Sequence, residues 1–143
     1  MLVYDKSKEL TAWASMQLFG IPDYFGENAT AIGDVRDGKI ICVVVYNNFL
    51  LKPDGSPLSI EMSIASIDKR WANRHTLRAY FAYPFIQLGL KRAQITSSVN
   101  AEGVNSMLKR LGCKIEGIHR EAYPMGGDAY SWSMMSYECK WIK

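Results

Sequence analysis

No apolar run in this chain of 143 residues is long enough to cross a bilayer. The first residues, MLVYDKSKEL, lack the apolar core of an export signal, and the expectation is an intracellular, cytoplasmic protein. Cysteine is scarce. Cys42, Cys113 and Cys139 are odd in number and far apart, and the only histidines are His75 and His119. That excludes a disulfide framework and any Cys/His spacing suited to zinc, and leaves reduced thiols. Charge of one sign is also scarce. Lys and Arg total 17 against 14 Asp and Glu, a formal charge of +3, which falls short of a nucleic-acid-binding signature. Low-complexity tracts, internal repeats and linker-like breaks are absent. What remains is 48% hydrophobic and 22% charged, the balance of one globular domain with a single core spanning residues 1–143.

Punctuation and periodicity divide the chain. Ser7 is placed to cap a helix whose Leu10, Trp13, Ala14 and Leu18 share a face, with Gly20 and Pro22 to stop it. Residues 21–29 read as loop. Two strands, 31–35 and 40–49, flank Asp37-Gly38, a strong hairpin signal. The run from Ile40 to Tyr46 is apolar on both faces, as in a central strand covered on both sides. After the turn cluster at 52–57, residues 59–66 alternate. Ile60, Met62 and Ile64 share one face, and Glu61, Ser63 and Ala65 share the other.

Asn73 or Thr76 opens a second helix, in which Leu77, Tyr80 or Phe81, Phe85 and Leu88 recur at helical spacing. Pro84 should bend it. Residues 93–99 form a strand. Asn100 is expected to cap a helix with Val104, Met107, Leu108 and Leu111 as its stripe, ended by Gly112. Strands at 114–120 and 130–140 close a mixed α/β (α+β) domain. The order is helix, three strands, helix, strand, helix, two strands.

That order, together with particular residues, resembles the GNAT superfamily of acyl-CoA-dependent N-acyltransferases. The residues are Tyr83-Pro84-Phe85 at a helix end, Leu88-Gly89-Leu90-Lys91-Arg92 entering a strand, Asn100, and Leu111-Gly112-Cys113-Lys114-Ile115-Glu116-Gly117 with Arg120. These look like the branch that acetylates ribosomal-protein N-termini. Ala72-Asn73-Arg74 paired with Tyr83-Pro84-Phe85, and the Cys139-Lys140-Trp141 end, look most like short GNAT-like proteins of bacteriophages, which would place the protein in a host cytoplasm. The resemblance implies a mostly antiparallel central sheet with helices on both faces. It requires residues 59–66 and 93–99 to lie in one sheet.

It also implies acetyl-CoA, or another acyl-CoA, as donor. The acceptor amine is left open among protein N-termini, small amines and nucleic acid, and a homodimer is possible. The pyrophosphate would meet the loop and helix start built from Arg70, Trp71, Ala72, Asn73, Arg74, His75 and Thr76, with Lys69 and Arg78 adding charge. The family's usual glycines are absent there, because no glycine occurs between Gly55 and Gly89. Asn100 sits where the family has an asparagine against the coenzyme arm. Leu108 occupies the position of the family's tyrosine acid, so no tyrosine acts from there; Cys113 stands where a phenylalanine is usual and reads as a packing residue.

Attack on a thioester needs an amine without its extra proton and a donor for the departing thiolate. Glu61 is the leading base, with Ser63 on its face to orient a water; His75 and His119 are weaker alternatives. Tyr46, Tyr83, Tyr123 and Tyr130 are possible acids, with core packing favoured for the first two. Asp128, after Gly126-Gly127, reads as a turn former. Two rivals stand beside the acyltransferase. One is a phage-type enzyme acting on a nucleic-acid base or nucleotide through Lys91, Arg92, Lys109, Arg110 and Lys114. The other is an inactive scaffold binding a protein through aromatics near Trp132, Tyr137 and Trp141.

Overall fold

The computed structural model describes residues 1–143. Seven strands form one sheet: β1 (Leu2–Val3), β2 (Thr30–Arg36), β3 (Lys39–Leu51), β4 (Pro57–Ser66), β5 (Arg92–Ser98), β6 (Lys114–His119) and β7 (Ala129–Met135). Their spatial order is β1-β2-β3-β4-β5-β7-β6, and every neighbouring pair is antiparallel except β4 and β5. Helices α1 (Ser7–Phe19), α2 (Arg74–Ala82) and α3 (Glu102–Leu111) cover it. Residues 59–66 and 93–98 therefore share a sheet, as the resemblance requires. The short β1 was not foreseen; it pairs with β2 at Leu2↔Asp34 and Val3↔Gly33.

The two faces of the sheet carry two cores. Leu10 and Ala14 of α1 pack with Ala31, Val43, Val45 and Ala65 on one face. The larger core on the opposite face joins Val44, Tyr46, Ile60, Met62 and Ile95 to α2, α3 and Trp132. Strand β3 is buried from Ile41 to Tyr46, as expected of a strand covered on both sides. The β2–β3 turn has Asp37 at φ 53° and Gly38 at φ 73°, the two positive values that a two-residue turn between right-twisted strands demands.

Asn73 opens α2 with a reciprocal capping box. Its side chain accepts from Thr76 N–H at 3.0 Å, and the Thr76 hydroxyl accepts from Asn73 N–H at 3.3 Å. Pro84 does not merely bend the helix: the regular α2 ends at Ala82, because the proline has no N–H to continue it. The chain widens into a π turn over Tyr83–Gln87, closed by Leu88 N–H donating to the Tyr83 carbonyl at 3.0 Å. The Tyr80 carbonyl, four residues before Pro84, receives no N–H from the proline. The Tyr46 hydroxyl supplies one at 2.6 Å from the middle of β3.

Three expectations are corrected. Ser7 is not the cap of α1: it lies inside the helix, and its hydroxyl accepts from Ala31 N–H at 3.0 Å, tying α1 to β2. Asn100 does not cap α3, whose first flanking residue is Ala101. Asn105, one turn inside α3, instead donates to the Ser98 carbonyl at 3.0 Å and to the Val99 carbonyl at 3.4 Å, so it holds the end of β5 from within the helix. The last strand stops at Met135 rather than Lys140. Glu138 accepts from Met135 N–H at 3.1 Å and turns the chain, and Trp141 Nε1 then reaches the Leu111 carbonyl at the end of α3, at 2.9 Å.

Candidate functional site: a parting of two parallel strands

Strands β4 and β5 run side by side only from Ser59↔Arg92 to Met62↔Ile95. Beyond that point each keeps its outer neighbour. Ser63–Ser66 stay registered on β3, and Thr96–Ser98 stay registered on β7. The two inner edges therefore part, leaving backbone N–H and C=O groups that neither strand satisfies for the other. A cleft of about 270 Å³ follows the opening, lined by Ile64, Thr96, Ser97, Ser98, Ala101 and Val104, with Tyr123 to Gly126 above it. Its β5 wall is held rigidly: Trp132 Nε1 donates to Ser97 Oγ at 2.8 Å, and the Ser97 hydroxyl donates to Asn105 Oδ1.

A second cleft, of about 280 Å³, opens on the α1 face. Glu61 and Ser63 lie on one wall, Asn47 and Asn48 beside them, and Phe19, Tyr24, Phe25 and Tyr123 opposite. Both clefts share Leu18, Phe19, Thr96 and Tyr123. Local sequence explains the arrangement. In β3, the step from Asn47↔Glu61 to Leu50↔Ser59 inserts an extra residue. Asn48 takes φ 53° at this bulge, and its Nδ2 donates to Glu61 Oε2 at 2.7 Å. After α1, Gly20 takes φ 71°, and the buried Ser15 hydroxyl donates to the Ile21 carbonyl while accepting from Tyr24 N–H at 2.9 Å. That clasp folds Tyr24 back to stack on Phe19, with ring centroids 3.7 Å apart.

Many solved structures share this architecture. A spermidine N-acetyltransferase chimera built from the Vibrio cholerae and hSSAT proteins superposes with a TM-score of 0.73 at 14% identity, covering 100% of this chain and 98% of that one. A ribosomal-protein-S5-alanine acetyltransferase from Vibrio fischeri gives a TM-score of 0.67 at 16% identity, covering 97% and 94%. The chain has the GNAT fold. A probable acetyltransferase at 21% identity has a TM-score of 0.63 over 78% of this chain; the chain spans 63% of its length, and 61% of another acetyltransferase. No protein-family model and no curated protein matches the sequence.

Within the GNAT fold the expected donor-binding residues divide. Arg74 and His75 are exposed at the start of α2, where N–H groups have no intrahelical partner. The Asn73 and Thr76 groups are spent on the capping box, and Thr76 also donates to the Trp71 carbonyl. Arg70 forks onto Asp68 through bonds of 2.7 to 3.1 Å, and that pairing lowers the Asp68 carboxyl to about 2. Trp71 is 2% exposed and packs on Tyr80, so its side chain is core and cannot touch a ligand. Ala72 is exposed. Asn100 is exposed beside the start of α3, with its N–H donating to Ser98 Oγ at 3.3 Å.

The structure brings Glu61 and Ser63 together in the α1-side cleft and leaves both histidines outside it. Of the four tyrosines, Tyr46 is consumed by the Tyr80 carbonyl, Tyr83 packs edge-on against it, and Tyr130 packs on Trp132. Tyr123 alone lines both clefts. Burial pushes its hydroxyl up to about 12, with Tyr24 adding to the shift. Cys113 is buried and likewise pushed up to about 12 by burial, which suits packing rather than nucleophilic chemistry. Asp128 accepts from Glu121 N–H at 3.0 Å and is a turn former. Trp132 is 3% exposed and offers no docking surface; Tyr137 is the exposed aromatic of that region.

Proposed function

We propose that this protein transfers an acyl group from a coenzyme A thioester, acetyl-CoA first among them, to a primary amine by direct attack. The observation that carries this reading is the parting of β4 from β5 after Met62 and Ile95. The pantetheine arm of coenzyme A is a narrow chain with amide groups, and unpaired strand edges are suited to bond it as they would a strand. The N–H groups opening α2, with Arg74 and His75 beside them, suit the pyrophosphate at the far end of that arm. Charge from Arg74 replaces the close backbone approach that glycines give elsewhere. Such a donor belongs to a cytoplasm, where the three buried thiols also stay reduced.

The thioester supplies an acyl carbon already activated by its sulfur. Glu61 removes the proton from the incoming ammonium, either directly or through a water held by Ser63, and Asn48 fixes the carboxylate by its 2.7 Å bond to Oε2. Free N–H groups on the inner edge of β4 polarise the carbonyl oxygen. Tyr123 donates a proton to the departing thiolate: it lies at the junction of the two clefts and is protonated across the neutral range.

Isothermal calorimetry with acetyl-CoA tests the donor site. Micromolar affinity, weakened about tenfold by Arg74→Ala, is expected for the loss of a charged phosphate contact. Absence of binding by the folded protein would overturn the reading. Tyr123→Phe should lower kcat about 100-fold with the donor affinity unchanged.

A further inference from the structure

The α1-side cleft carries little charge. Glu61 is the only Asp, Glu, Lys, Arg or His among its lining residues. Facing it are Phe19, Tyr24, Phe25 and Tyr123, whose rings form one cluster: Phe19 lies 5.8 Å from both Phe25 and Tyr123, and Tyr24 meets Phe25 edge-on at 5.3 Å. Asn47, on the same wall as Glu61, has a buried carboxamide oxygen with no hydrogen-bond partner.

We infer that this cleft selects a small cationic primary amine carried on an apolar or aromatic stem, and rejects acceptors bearing phosphate. The inference rests on the acyl-transfer reading and names its acceptor class. An ammonium has three N–H donors and no acceptor, and the polar wall offers it the Glu61 carboxylate. The aromatic wall attracts a cation through its ring faces and covers a hydrocarbon stem. Phosphate finds the reverse: no cation to pair with and a carboxylate beside it. A volume of about 280 Å³ admits one head group and a short stem rather than a folded nucleic acid. The lysines and arginines at 91, 92, 109, 110 and 114 do not line it.

The test is direct binding of two acceptors that differ in this one property, phenethylamine and O-phosphoethanolamine, by calorimetry with and without acetyl-CoA. Phenethylamine is expected to bind at least about 100-fold more tightly. Tyr24→Lys places a cation in the aromatic wall at a half-exposed position; in a variant shown by circular dichroism to be folded, it should weaken phenethylamine about tenfold or more. Equal affinity for the two amines, preference for the phosphate, or indifference to Tyr24→Lys would overturn the inference. Loss of acetyl-CoA binding with the amine preference intact would overturn the donor reading alone. A protein that binds acetyl-CoA and neither amine would overturn the acceptor class alone.

Discussion

Gly33 faces α1 from β2, and its smallness sets how closely the helix approaches the sheet. A Cβ built there would lie 2.7 Å from Leu10 Cδ2, 3.2 Å from Cδ1 and 3.5 Å from Cγ. Carbon atoms in contact sit about 3.5–4.0 Å apart, so Gly33→Ala must open the helix–sheet gap by nearly an ångström or force Leu10 off its rotamer. Leu10 is 3% exposed and belongs to the smaller of the two cores, so few neighbours share the displacement. Overpacking of this kind costs about 1–3 kcal/mol. The lower chain entropy of the unfolded alanine variant returns about 0.4–1 kcal/mol. A net loss of about 1–2 kcal/mol is expected, roughly 3–8 °C in Tm for a domain of this size.

A second substitution separates crowding from other causes. Leu10→Ala alone should cost about 2–5 kcal/mol by leaving a cavity. In the double variant the methyl added by Gly33→Ala occupies part of that cavity, so the combined loss falls below the sum by about 1–2 kcal/mol. Urea unfolding followed by circular dichroism, with unchanged m-values, reads all three variants. Strict additivity, or a neutral Gly33→Ala, would refute the close-approach argument. Because α1 ends at Phe19, the same substitution should also weaken the proposed amine binding, as the helix carries one wall of the α1-side cleft outward.

Tyr46→Phe removes the hydroxyl donor to the carbonyl whose helical partner Pro84 cannot supply; it should cost about 1–3 kcal/mol in urea unfolding, and restoring a helical N–H with Pro84→Ala in the same chain should reduce that cost. Cys42 and Cys113 are pushed up to about 12 by burial, and Cys139 is raised for the same reason. At pH 8 none should react with a disulfide reagent until the protein unfolds, when all three titrate together. Well below pH 9 the thiols are neutral in both states. As pH rises from 9 toward 12 the unfolded chain ionises first, so their stabilising contribution is lost over that window, which alkaline unfolding curves would show.

The fold was legible because its signals are local. Asp37-Gly38, the twofold apolar run of β3, the alternation of β4, Asn73 and Gly112 each dictate a backbone state within a few residues. Leu108 was also readable as part of the apolar stripe of α3, and it is fully buried. The errors came where a polar residue has two uses. Ser7 and Asn100 look like helix caps, but a sheet N–H claimed the first, and Asn105 took over the junction at the second. Trp71 sits among arginines in sequence and in the core in space, because the turn after Asp68 rolls it beneath α2. The α1-side cleft was half legible. Glu61 and Ser63 followed from strand parity, whereas Phe19, Tyr24 and Tyr123 meet across more than a hundred residues of chain, beyond any periodicity. The pair Asn47-Asn48 at the end of an apolar run was the one available hint of the bulge.

A sheet that parts in its middle has inner margins as well as outer ones. The outer margins here are β1, only Leu2–Val3, and β6; the inner ones, Ser63–Ser66 and Thr96–Ser98, are too short and too enclosed to template another chain. Their cost is cohesion. Strands β1–β4 and strands β5–β7 are joined across the sheet by the register pairs from Ser59↔Arg92 to Met62↔Ile95, so the molecule is nearly two leaves on a short hinge. Such a seam is where sub-global opening begins, and amide exchange should be fastest along it. A ligand lodged in the gap bridges both leaves at once, so occupancy would set the mechanical unity of the whole sheet.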